Sequence, residues 1–198
     1  MSLKKSLILI CGILLIDQIS KVYVKTHFSL GESVHVLDWF KILFIENEGM
    51  AWGTKIPGKY GKLFLTVFRI IALIGIGYWL HISLKSKRSK LLIMAVSLIF
   101  AGALGNIIDS VFYGVLFGDS YNQVATFLPE SGSYGSLFHG KVVDMLYFPM
   151  WKGYLPDWIP YMGGKYYTFF EPVFNIADAA ISLGVGLLIF FNKRVFTN

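Results

Sequence analysis

Two aspartates stand in apolar text where a charge is expensive. Asp178 lies in FNIADAAISLGVGLLIFFNKR (Phe174–Arg194), a stretch that reads as a membrane helix, and no basic residue shares its helix face. A carboxylate inside a bilayer costs about 2.5–3.5 kcal/mol on insertion scales. Asp144 is the one polar residue in the run Val142–Phe148. It reads either as a capping or turn aspartate or as the partner of Asp178. Two carboxylates a few ångströms apart do not both ionise readily, so one keeps a proton while the other acts as a base. The base activates water, and the protonated acid hydrogen-bonds a scissile carbonyl. Such a pair hydrolyses a peptide with no metal, no cofactor and no nucleophilic side chain.

Other hydrolytic chemistries lack their patterns. His27, His35, His81 and His139 form no HExxH, and no GxSxG occurs. Ser20 and Lys21 are adjacent, which aims them at different faces of a helix. The GxGD pattern of presenilin-type proteases is absent, its nearest text being Leu116-Phe117-Gly118-Asp119. The lone cysteine, Cys11, sits in an apolar run and reads as packing filler.

Such aspartates must be positioned by membrane helices. The 198 residues are 55% hydrophobic and 15% charged, with mean hydropathy +0.60, which excludes an ordinary soluble domain. The net charge of +6 raises the question of nucleic acid. Its basic residues cluster at the ends of apolar segments, which is a topology signal, and no nucleic-acid partner is expected. The composition and patterning predict an all-α membrane protein with a small β element, built as one domain over residues 1–198. Helices are expected at about 6–24, 63–83, 91–109 and 172–192, an outer β region at 30–60 and an outer loop region at 110–171.

Lys4 and Lys5, the run Lys85–Lys90, and Lys193 with Arg194 fall on one side of such a four-span chain. The positive-inside rule makes that side cytoplasmic, together with both termini. SVHVLDWFKILFIE (Ser33–Glu46) alternates apolar and polar residues in part and reads as strands. Tyr134, Phe138, Trp151, Trp158 and Tyr161 are candidates for an aromatic belt at the outer interface.

Helical rise places the intramembrane polar groups at one depth, with Asn106 and Lys21 each about 22 Å up their spans and Asp178 about 9 Å below the outer end of its own. They also fall on single helix faces. Asp17 and Lys21 are i, i+4; Gly102, Asn106 and Asp109 are i, i+4, i+7; Asn175, Asp178 and Ser182 are i, i+3, i+7. Gly102 and Gly105 permit close backbone approach. Each polar group has a second reading as interhelical glue. For Asp17 and Lys21 an internal ion pair is the expected role, and Arg69 reads as a residue that snorkels to the outer interface.

These residues fall into ordered motifs: DQISK (Asp17–Lys21), NEGMAWG (Asn47–Gly53), GALGNIID (Gly102–Asp109), VVDMLYF (Val142–Phe148) and FNIADAAI (Phe174–Ile181). In that order and on four spans they resemble lipoprotein signal peptidase, the type II signal peptidase of bacteria. The resemblance implies an aspartic endopeptidase of the bacterial cytoplasmic membrane that cuts prolipoproteins just before a diacylglyceryl-modified cysteine. It implies a catalytic pair at Asp144 and Asp178. Asn47, Gly49, Asn106 and Asn175 match positions that shape the pocket or meet substrate, and Asp17, Lys21 and Asp109 match further polar positions. It also implies an extracytoplasmic β-cradle after the first span, an active site toward the outer face, membrane lipids as partners, a monomer, and neither metal nor cofactor.

Ser110 departs from the family's pattern, which carries arginine after the GNxxD aspartate. Either Lys141 takes over that charge or nothing does. The rival to a peptidase is a small transporter or proton-coupled carrier that uses the intramembrane aspartates as a relay. It requires polar groups along a whole transmembrane path, whereas Leu91–Leu98 and Leu183–Phe191 are nearly featureless.

Overall fold

The computed structural model describes residues 1–48, 60–130 and 132–196. Gly49 and the rest of its motif after Glu48 lie outside the described residues.

Among the described residues, three helices are long and apolar enough to cross a membrane. The first, α1 (Leu3–His27), buries Ser6, Ile10, Asp17, Lys21, Val24 and Lys25, a single stripe at helical spacing. The second, α2 (Gly61–Lys85), leaves most of its apolar surface outward, as a lipid-facing helix does. Next, α3 (Lys90–Ile108) starts at the N-cap Ser89, whose hydroxyl accepts from the Leu92 N–H at 3.1 Å, and it is the most buried of the three.

The third span does not stop at Asp109. It runs on through a π turn at Asp109–Tyr113 and a last turn, α4 (Gly114–Leu116). A π turn widens the helix locally, a distortion frequent at functional sites. Here it falls on a polar, fully buried pair, Asp109 and Ser110.

The fourth segment differs from its predicted bounds. Val173–Phe174 is a strand, Asn175 is the N-cap, and α5 runs only from Ile176 to Phe190, followed by the short α6 (Asn192–Phe196). Pro172 is therefore outside the helix. Fifteen residues span about 22 Å, less than the roughly 30 Å of a hydrocarbon core. Asp178 consequently sits in the first turn, with three more N-terminal residues given to the sheet and the cap than the apolar run suggested.

The strands β1 (Ser33–Leu37), β2 (Phe40–Asn47), β3 (Val142–Tyr147) and β6 (Val173–Phe174) form one antiparallel sheet in the order β1-β2-β3-β6. A separate hairpin, β4 (Trp151–Tyr154) and β5 (Tyr166–Phe169), projects between β3 and β6. The run around Asp144 is thus an interior strand, and its aspartate caps no turn. Alternation along β3 sends Val143 and Met145 into a core with Val24, Phe28, Phe44, Tyr113 and Phe117, and turns Asp144 to the other face. A second core of Ile10, Leu80, Leu92, Ile93, Val96, Ala101 and Val195 holds the opposite end of the bundle.

The aromatic residues divide. Trp151, Trp158 and Tyr161 are exposed on and beside the β4–β5 hairpin. Tyr134 is not among them: its ring packs under the Lys25 and Lys141 ammonium groups, and its hydroxyl accepts from the Lys141 N–H at 2.8 Å.

Candidate active site

The site forms where the outer parts of α1 and α3, strand β3 and the start of α5 converge. Two glycines allow this. A Cβ on Gly102 would strike the Ala177 carbonyl, and one on Gly105 would lie 2.6 Å from an Asp17 carboxylate oxygen. Without side chains at these points, α3 lies against both α5 and the polar stripe of α1.

Asn175 joins the two aspartates. As N-cap of α5 its Oδ1 accepts from the Asp178 N–H at 2.9 Å, while the Asp178 carboxylate accepts from the Asn175 N–H at 3.4 Å, a reciprocal capping box. That orientation aims the Asn175 amide nitrogen at Asp144 Oδ1, 2.7 Å away. The same nitrogen also lies 3.1 Å from Asn106 Oδ1 and 3.2 Å from the Val143 carbonyl. Asn47, at the end of β2, donates to Asp144 Oδ2 at 3.1 Å. Asn106 donates to Asp178 Oδ1 at 2.7 Å. Each carboxylate therefore receives a side-chain amide N–H, and Asp144 receives two.

Lys21 fixes the sense of Asn106. An ammonium only donates, and Lys21 Nζ lies 2.8 Å from Asn106 Oδ1, so the amide nitrogen faces Asp178. Its other bonds go to Asp17 Oδ2 at 2.9 Å and Asp109 Oδ2 at 2.8 Å, and all three side chains are fully buried. The expected self-contained pair of Asp17 and Lys21 is instead one cation between two carboxylates. Each aspartate then holds a different element. Asp17 Oδ1 accepts from the Ala177 N–H at 2.9 Å in the first turn of α5. Asp109 accepts from the Val143 N–H of β3 at 3.3 Å and from Gln18 at 2.9 Å, and Tyr113 donates to Gln18 at 3.2 Å.

Burial pushes the Asp144 carboxyl up to about 7, and the nearby Asp178 charge adds to the rise, against the opposing amide bonds from Asn47 and Asn175. A carboxylic acid that keeps its proton near neutral pH is what general-acid chemistry requires.

The α5 stripe is shorter than its spacing suggested, and of the two alternatives left by the missing arginine the structure does not favour Lys141. Ser182 is exposed, so the α5 stripe ends at Asp178. Ser110 is fully buried and its hydroxyl returns to the Asn106 carbonyl at 2.9 Å, which puts no polar group toward the aspartates. Lys141 does not take over an arginine's charge, because it pairs with Glu46 Oε2 at 2.9 Å.

That last pair belongs to a second ionic cluster absent from the sequence reading. Glu46 on β2 also binds Lys25, and Ser120 donates to it at 3.0 Å, which ties the segment after α4 to α1 and the sheet. Burial opposes ionisation of Glu46, but the two lysines outweigh it and hold its carboxyl below the usual range. The signal was in the text: Lys25 continues the Asp17, Lys21 stripe at i+8.

Comparisons with known proteins identify the family. The family model described as Signal peptidase (SPase) II matches residues 9–193. A lipoprotein signal peptidase of Porphyromonas gingivalis strain W83 is 48% identical over 183 residues, 91% of this chain and 79% of the relative. That of Amoebophilus asiaticus is 40% identical, over 90% and 73% of the two chains. Two solved structures, each described as a bacterial membrane enzyme studied by the in meso method, superpose with TM-scores of 0.66 and 0.64 at 26% and 28% identity. The first covers 97% of this chain and 89% of that one, the second 96% and 93%. The motifs, the buried polar site and these matches together place the chain in the signal peptidase II family.

Proposed function

We propose that this membrane peptidase removes the signal peptide from prolipoproteins by aspartic catalysis, with Asp144 and Asp178 as the pair. The observation that carries the reading is Asn175, which binds Asp144 with its amide and caps Asp178 with its carbonyl. Asp144 keeps the proton and donates to the scissile carbonyl. Asp178, held by Asn106, takes a proton from the attacking water. When the tetrahedral species collapses, the amine leaving group takes up a proton and the pair is reset. Asn47 and Asn175 orient Asp144, and Lys21, Asp17 and Asp109 hold Asn106, α5 and β3 in place.

The bond cut is the one just before a diacylglyceryl-modified cysteine. The substrate's acyl chains lie in the outer leaflet, the pair opens toward the outer face, α5 completes a fourth span, both termini are cytoplasmic, and the enzyme acts as a monomer. Support comes from the grouping of the buried charged residues at the sheet end of the bundle, while the far end is an apolar core that, among the described residues, buries serines (Ser6, Ser83, Ser97) but no charge. A proton- or ion-coupled carrier needs titratable groups through that core, and the family gives the carrier reading no support.

Purified protein incubated with a lipid-modified prolipoprotein tests the proposal. The expected result is release of an intact signal peptide ending at the residue before the lipidated cysteine. Release of a different fragment, or none from an enzyme shown to be folded, rejects it.

A further inference from the structure

The end of the bundle away from the aspartates holds a cavity of about 920 Å³, between the start of α1 and the turn that joins α2 to α3. That size is within the range of sites that take a small molecule. Its more buried lining is apolar, made by Leu84, Leu91, Ile93 and Met94. Four cations, all exposed, complete it: Lys5, Lys87, Arg88 and Lys90. Among the described residues no Asp or Glu lines it. The chain supplies none nearby, because residues 1–16, 70–105 and 179–198, which build this end, contain no acid.

Three of these cations stand where local structure does not favour them. Lys87 takes a left-handed backbone conformation, φ 49°, that glycine adopts without steric cost. Its N–H donates to the Leu84 carbonyl at 3.1 Å, and the Arg88 N–H donates to the Ser83 carbonyl at 3.0 Å, which closes α2. Lys90 is the first residue of α3 and Lys5 lies in the first turn of α1, each beside the positive end of its helix, and neither first turn holds an acid. A positive-inside bias accounts for cations at this end but not for their placement round an apolar cavity. Lys4 and Lys85 belong to the same basic groups and do not line it.

We propose that this cavity binds an anionic phospholipid of the adjoining leaflet, its phosphate among Lys5, Lys87 and Lys90 and the start of its acyl chains against Leu84, Leu91 and Met94. A phosphate offsets the repulsion at the two helix starts, and basic pockets between membrane helices suit such headgroups. The apolar lining selects a lipid over a soluble anion, which would leave that surface against water. Under the proposed orientation the leaflet is the cytoplasmic one. The binding itself depends on neither the orientation nor the aspartate pair.

The test compares two variants that remove the same charge. Full-length protein in detergent is titrated with phosphatidylglycerol or with phosphatidylcholine of the same acyl chains, and bound lipid is followed by native mass spectrometry. Phosphatidylglycerol is expected to bind about tenfold or more tighter than phosphatidylcholine, since each lysine near an anionic headgroup contributes measurably. Lys87→Gly with Lys90→Gln should weaken phosphatidylglycerol binding about tenfold or more, and Lys4→Gln with Lys85→Gln by less than about threefold. Without lipid the Lys87→Gly, Lys90→Gln protein should melt at or above the native temperature, because glycine suits the backbone at 87 and a neutral residue suits the start of α3. A merely structural role for the two lysines would lower both quantities together. Equal losses in the two double variants overturn the proposal in favour of diffuse surface charge, and the absence of a preference for phosphatidylglycerol overturns it outright. Displacement of the lipid by glycerol 3-phosphate at a matching concentration makes the cavity a site for soluble anions and also overturns it. Should the double variant not fold, Lys90→Gln alone decides, since native affinity there rejects the site.

Discussion

Asp144 and Asp178 are held by neighbours that differ in kind, and this gives the pair a testable signature. General acid–base groups contribute about 10²–10⁴ in rate, so Asp144→Asn and Asp178→Asn should each lower cleavage by that range. Because the carboxylates act as one unit, the double variant should be little worse than either single one. Asp109→Asn should behave in the opposite way. It keeps more activity but melts lower, because Asp109 holds the buried Lys21 and the Val143 N–H. A folded Asp144→Asn enzyme with near-native turnover would end the aspartic reading. Acidity supplies a second check. Asp144 binds its proton more tightly folded than unfolded, so its charge costs stability as pH rises from its ordinary value of 3.8 to about 7. Cleavage should fall as pH rises through about 7, and the melting temperature of Asp144→Asn should match or exceed the native one on the alkaline side. An activity still climbing well above that pH assigns the proton elsewhere. Both aspartates were legible in the sequence because each is a lone charge in apolar text. The arrangement of Lys21 was not: spacing along one helix paired it with Asp17, and only the approach of α3 brings in Asp109 and Asn106.

At the scale of elements, the site depends on how closely α3 is allowed to lie against its neighbours. Gly105 faces the Asp17 carboxylate and the Ala177 side chain, so one methyl group there would displace the ion pair with Lys21. Gly105→Ala should destabilise the protein by about 1–3 kcal/mol through overpacking, and cleavage should fall with it. Thermal unfolding and activity measured on the same preparation check this, and native values for both would mean that α1 and α3 have room to part. The long apolar helices were readable from hydropathy, and the strands of residues 33–46 from partial alternation. The short α5 was misjudged for a physical reason. Phe174 and Val173 are as apolar as the helix that follows, so hydropathy does not register that they pair with Leu146 and Tyr147 in the sheet. The capping pattern of Asn175 followed three residues later by an acid was the signal that marks the true start. The π turn after Ile108 has no comparable marker in the text.

For the whole molecule, the distribution of charge predicts an orientation and, with it, the depth at which substrate must arrive. Lys4, Lys5 and the run Lys85–Lys90 mark one face, and the sheet and the paired aspartates lie toward the other. In a background with Cys11→Ala, a membrane-impermeant thiol reagent added outside sealed cells should label a cysteine at Ser133 and spare one at Ser86, both of which are exposed positions. Labelling of Ser86 to the same extent would reverse the orientation. Given that orientation, the pair sits in the first turn of α5, level with the sheet rather than deep in the bundle. A soluble peptide reaching this level from water must lose its translational and rotational freedom there. A precursor whose cysteine already carries two acyl chains has given up much of that freedom to the bilayer, which presents the adjoining bond at a fixed depth. Prior restriction of this sort is worth several kcal/mol in well-oriented reactions. Lipid-modified precursor should accordingly be cut at least about 100-fold more efficiently than the same chain without lipid, with the difference lying mainly in KM, because the chemical step proposed at Asp144 and Asp178 is the same for both. Comparing kcat/KM for the two precursors in lipid nanodiscs measures it. Equal values would mean that the depth of the site, and with it the lipid, plays no part in choosing the substrate.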